Sequence, residues 1–135
     1  MPAKSRDSLI ELRDMIRTFV RARDWEQFHA PKNLAMGLSI EAGELMEHFL
    51  WLTPEASESL SAEKRALVAD EMGDVFVYLI RLADRLEIDL REAVEAKLRK
   101  NAAKYPARRV RGKALKYSEY RVSAPKGRRR ARGDE

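Results

Sequence analysis

Acidic side chains follow one another at i, i+3 steps through Glu41, Glu44 and Glu47 in "SIEAGELMEHFLW", and Glu71 and Asp74 repeat the spacing in "DEMGDV". Like charges one helical turn apart oppose helix formation by roughly a few tenths of a kcal/mol per pair. Glu41 also shares a stripe with Leu34, Leu38 and Leu45, so something must offset its charge. A single E-x-x-E pair in a chain with 36% charged residues is most simply a solvated, salt-bridged face. Two such pairs on two helices are a different object. Antiparallel packing brings four carboxylates to one point, where each ionisation raises the cost of the next unless a cation intervenes. Hard oxygen ligands select Mg²⁺, with Mn²⁺ as a substitute, and a few carboxylates leave positions on such an ion open to phosphates. Gly43 and Gly73 sit inside the pairs, where a missing side chain predicts close approach of a helix or of substrate.

Four helices must position these acids. The first, over roughly 7 to 23, carries the stripe Leu9, Leu12, Ile16, Phe19 and Val20, with Asp7 or Ser8 as its cap. After the irregular "RDWEQFHAPKN", the second runs from Lys32 or Asn33 to about Trp51. Pro54 and neighbouring serines mark a loop with room for a short turn, and Ser61 opens the third helix, roughly 62 to 87. That helix is apolar nearly all round: Val68, Met72, Val75, Leu79 and Leu82 on one side, Phe76, Ile80 and Ala83 on another. Such a helix needs partners on both sides, which predicts a homo-oligomer. Asp89 caps the fourth helix, which ends before Pro106; an extended arm is expected over 106–120.

A chain of 135 residues fits one domain, expected over residues 1–120. Without cysteine it has no disulfide, thiolate metal site or cysteine nucleophile, which suits a reducing cytoplasm. No signal-peptide core or membrane-spanning apolar run is evident in it. The net charge of +5 divides unevenly: residues 1–105 hold 16 basic against 19 acidic residues, and residues 106–135 hold 11 against 3. Residues 121–135, with "KGRRRARGDE", are therefore expected to be a basic disordered tail, with weak nucleic-acid contact as a secondary capability.

The residues that carry chemistry also carry a resemblance. "EAGE" and "EMGD", together with "RDWEQFH", "IDLREAV" and "KLRKNAAKYPA", resemble the all-α nucleoside triphosphate pyrophosphatases, the MazG-like superfamily, and most of all its dCTP pyrophosphatase branch. The likeness extends over most of residues 9–120. It implies a four-helix-bundle subunit assembled as a dimer or homotetramer, and Mg²⁺-dependent hydrolysis between the α and β phosphates of a deoxynucleoside triphosphate, which cleanses the nucleotide pool. It further implies that Glu41, Glu44, Glu71 and Asp74 bind the metal. Lys97, Asn101, Lys104 and Tyr105 fall where the family contacts phosphate or sugar, and Trp25, His29, Trp51 and Tyr78 match positions that line the nucleoside pocket. Glu47, one turn beyond Glu44, is a candidate for the base that accepts the attacking water's proton, alongside the metal ligands themselves. Animal dCTP-preferring members have a histidine where Ile16 stands here, which opens dUTP or a broader set of triphosphates as substrates. A third reading is a non-catalytic helical protein that binds nucleic acid through its tail.

Overall fold

Three capping side chains set helix starts where the sequence pointed to them. Asp7 accepts a hydrogen bond from the Leu9 N–H, Ser61 from the Lys64 N–H and Asp89 from the Glu92 N–H, each satisfying an amide that the helix itself leaves unpaired. The computed structural model describes residues 7–122, and among these there is no strand. Helix α1 is Ser8–Arg21; a 3₁₀ turn, Glu26–Phe28, leads to α2, Pro31–Glu47; α3 is the single turn Pro54–Ser57; α4 is Ala62–Arg85 and α5 is Leu90–Lys104. Two short helices follow, α6 (Ala107–Val110) and α7 (Tyr117–Val122). The fold class is all-α, as expected.

Several expected boundaries move, those of α2 and α4 among them. Helix α2 starts at Pro31, whose missing N–H suits a first helical position, and it ends at Glu47 instead of running to Trp51. There the Phe49 N–H turns back to the Met46 carbonyl at 2.9 Å and the Leu52 N–H to the Phe49 carbonyl at 2.9 Å, so His48–Leu52 form successive turns. Helix α4 ends at Arg85 because Glu87 adopts a left-handed φ of 55°, and the Ile88 N–H closes back on the Ala83 carbonyl at 2.9 Å.

The chain forms two compact units, one up to Ala93 and one from Val94. In the first, α4 packs against both α2 and α1. Val20, Leu34, Val68, Ile80 and Ala83 are its buried apolar residues, and Leu34, at 1% exposure, is the most enclosed. Gly37 of α2 lies against Tyr78 of α4, while His48 further along α2 meets Glu71 earlier in α4, so the two helices run antiparallel. The apolar residues of α4 are unequally covered within the single chain. Met72 and Leu79 are exposed along with Phe76, and burial follows Val68, Ile80 and Ala83, the positions that face α1 and α2.

The second unit begins within α5. Tyr120 is its buried residue, and the Tyr120 hydroxyl donates to the Lys113 carbonyl and accepts from the Leu115 N–H, both at 3.1 Å. Tyr105 meets Tyr117 and Tyr120 edge-on, with centroids 5.8 and 6.0 Å apart. Residues 106–120 are thus a pair of short helices around a tyrosine cluster, not an extended arm, because three rings spaced for contact bury more surface than an open strand would. Of the expected tail, residues 121 and 122 close α7 and the remainder lies outside the described residues.

Candidate active site

Helix α2 contributes Glu41 and Glu44 and α4 contributes Glu71 to a group whose ligand oxygens all lie within 4.8 Å of one another. The antiparallel seam makes this possible, since i and i+3 residues project from the same side of α2 toward α4. Glu41 has its carboxyl pushed up to about 7, first by burial, then by the neighbouring Glu44 carboxyl and by the charges of Asp74 and Glu71. Asp74 is exposed and stands outside the tight group, within electrostatic reach of Glu41. Glu47, the last residue of α2, is exposed and also lies outside it.

The atoms themselves test whether these residues suit a cation. Glu41 Oε2 and Glu71 Oε2 are buried, and neither has a hydrogen-bond partner. Buried carboxylate oxygens without a donor are costly, and a hard divalent ion satisfies several at once. The acids fit a metal. Of the two roles expected for the glycines between them, close helix approach within this chain is not seen: a Cβ at Gly43 or Gly73 would meet nothing within 4 Å. That role belongs to Gly37, where a Cβ would lie 2.5 Å from a Tyr78 ring carbon. Tyr78 therefore packs on the α2–α4 seam one turn before Glu41.

Both tryptophans sit apart from the buried core. Trp51, 90% exposed, lies in the turns after α2, and Trp25, 43% exposed, meets Phe19 edge-on at 5.8 Å. Arg23 stacks over Phe19, 3.6 Å from the ring centroid. In the second unit Lys97 and Lys104 are exposed and Asn101 is half-buried on α5; the Lys104 ammonium lies 5.1 Å from the Tyr117 ring centroid. Tyr105 belongs to the tyrosine cluster described above.

Sequence reasoning passed over two residues. His48 Nε2 lies 3.9 Å from Glu71 Oε1, too far for a hydrogen bond. Its spacing of four from Glu44 is the signal that places it on the same face. Arg81, in the middle of "VFVYLIRLADRL", is only 4% exposed. Its Nη1 donates to Asp84 at 3.1 Å, its Nε donates to His29 Nδ1 at 3.1 Å and its Nη2 lies 3.8 Å from Glu26. Arg17 completes the group from α1 with two hydrogen bonds to Asp84 and holds that carboxyl below the usual carboxylate range. His29 is pushed below the ordinary histidine value by burial and then by Arg81 and Arg85. A charge three residues before Asp84 in an apolar run was the available signal. A cavity of about 410 Å³ lies beside this network, between the start of α1 and the end of α4, and none of the clustered glutamates lines it.

The chain is similar to several known proteins. A family model described as MazG-like matches residues 37–119. The dCTP pyrophosphatase 1 of Bos taurus is 39% identical over 117 residues, spanning 85% of this chain and 69% of that protein. The dCTP pyrophosphatase 1 of Homo sapiens is 40% identical over 114 residues, spanning 83% and 67%. A crystal structure of a pyrophosphatase from Archaeoglobus fulgidus superposes with a TM-score of 0.73 at 37% identity, covering 78% of this chain and 99% of that one.

Proposed function

The chain belongs to the MazG-like family, and on that premise we propose that it hydrolyses dCTP, or a modified dCTP, to the nucleoside monophosphate and pyrophosphate. Membership carries the reaction class, nucleoside triphosphate pyrophosphohydrolase; the base, the bond cleaved and the metal are the proposal. The observation that carries it is the pair of buried, unpartnered oxygens on Glu41 and Glu71 within a cluster of carboxylates from two helices. Glu41, Glu44 and Glu71 hold the cation, with Asp74 as the fourth acid. When bound, Mg²⁺, or Mn²⁺ in its place, neutralises charge on the phosphate oxygens and orients water for in-line attack.

The chain's own groups do the rest. As the water oxygen bonds to the α phosphorus, Glu47 or one of the clustered glutamates accepts its proton, while the bond from the α phosphorus to its bridging oxygen breaks and pyrophosphate departs. Lys97 and Lys104 offset phosphate charge, and Asn101 and Tyr105 take phosphate or sugar. Trp25, Trp51, His29 and Tyr78 hold the nucleoside. A second reading, dUTP or a broader set of triphosphates, is favoured by the apolar Ile16 on α1, since a pocket without a polar group there rejects fewer bases.

Incubating the protein with each dNTP, 5-methyl-dCTP and Mg²⁺ and assaying both products tests the reading. Monophosphate and pyrophosphate from dCTP are expected, with Glu71→Gln reduced to near background and deletion of residues 121–135 without effect. Orthophosphate as the product, or no turnover, removes the proposal.

A further inference from the structure

The most enclosed charged side chain among the described residues lies outside the acidic cluster. Arg81 spends each of its three guanidinium nitrogens on a different partner: Nη1 on Asp84, Nη2 toward Glu26 and Nε on His29 Nδ1. Asp84 is itself gripped by Arg17, and Glu26 is paired with Arg21 at 3.3 Å, so the guanidinium is held from several sides. Burying an arginine this deeply is costly and is tolerated only where its donors are used. Here one donor goes to a ring nitrogen. A guanidinium has no lone pair to offer and does not release its proton, so His29 Nδ1 must be the acceptor, and the proton of the neutral ring sits on Nε2.

We propose that Arg81 is a positioning residue for base selection: by occupying His29 Nδ1 it commits His29 to the neutral Nε2–H form, a fixed donor to a lone pair on the edge of the pyrimidine. This rests on the reading that His29 lines the nucleoside pocket. Unprotonated N3 of cytosine offers such a lone pair, whereas N3 of uracil carries a hydrogen and meets the donor with a donor. A site built around a buried polar group discriminates more sharply than one built on shape, because the wrong partner leaves the group unpaired. The surrounding charges act in the same sense, since Arg85 joins Arg81 in disfavouring an imidazolium and only Glu26 opposes them.

The test uses the full chain in two measurements. Nitrogen-15 NMR of the histidine ring at neutral pH is expected to show His29 neutral and protonated on Nε2. In Arg81→Met, which leaves Asp84 paired with Arg17, that tautomer preference is lost. In steady-state assays with Mg²⁺ the same variant is expected to raise KM for dCTP about tenfold, the worth of one hydrogen bond, with kcat little changed and KM for dUTP unmoved. A wild-type His29 protonated on Nδ1, or charged at neutral pH, overturns the proposal without reference to any variant. So does an Arg81→Met enzyme with unaltered KM for dCTP. Wild-type protein that turns over no triphosphate overturns the parent function as well, which separates the two failures.

Discussion

At the scale of single residues, Glu41 is the group whose chemistry departs furthest from a free side chain. Its folded value of about 7 lies above the ordinary 4.5, so the folded chain binds more protons than the unfolded one between those limits. Stability from this group is therefore fully present below pH 4.5 and lost as pH rises through 7. In the presence of a chelator, melting temperature is expected to fall from acid to neutral pH more steeply for the wild type than for Glu41→Gln, which cannot ionise. Parallel profiles for the two proteins would remove the assignment. Added divalent metal is expected to reverse the trend, since binding would demand the ionised carboxylate and release its proton. The acid pairs were legible because their spacing is local. The pairings of His48 with Glu71 and of Arg81 with His29 were not, since each joins residues more than twenty positions apart.

Helices show which positions tolerate change. Capping at Asp7, Ser61 and Asp89 could be read directly, because a cap acts on amides two or three residues away. The glycines could not. Gly37, Gly43 and Gly73 all weaken a helix to a similar degree, yet only Gly37 makes room for a ring from the neighbouring helix. Alanine at Gly37 and at Gly43 gains the same helix propensity, roughly 0.5–1 kcal/mol. Gly37→Ala is nevertheless expected to be less stable than Gly43→Ala by about 1–3 kcal/mol, the usual cost of overpacking a fitted contact. Urea denaturation of the two variants measures the difference directly, and equal stabilities would mean that Tyr78 moves aside freely.

For the molecule as a whole, the balance of buried and exposed apolar surface is the informative quantity. Leu67, Met72, Phe76 and Val77 of α4, together with Met36, Ile40 and Met46 of α2, are all exposed in the single chain. Large apolar side chains left exposed on two packed helices are expected to meet another copy of the chain. Light scattering is expected to give a mass of two or four chains, and Phe76→Glu to shift the population toward the monomer by placing a charge in the contact. A wild-type protein that remains monomeric would leave this surface without an occupant. Among the described residues no helix is long and apolar enough to cross a membrane, so these exposed groups do not belong to a spanning segment.

The sequence by itself determined the four long helices, the caps at Asp7, Ser61 and Asp89 and the two acid pairs, because each depends on residues within a turn or two of one another. It also carried the family, through motifs that stand as contiguous strings. Only the tertiary structure decided that three of the acids form a tight group with Asp74 outside it, that Gly37 and not Gly43 or Gly73 admits a neighbouring ring, and that a buried arginine holds His29. The physical reason is one of range. Helical propensity and capping are summed over near neighbours, whereas a shared cavity, an unpartnered oxygen or a guanidinium with three partners exists only once α1, α2 and α4 have packed.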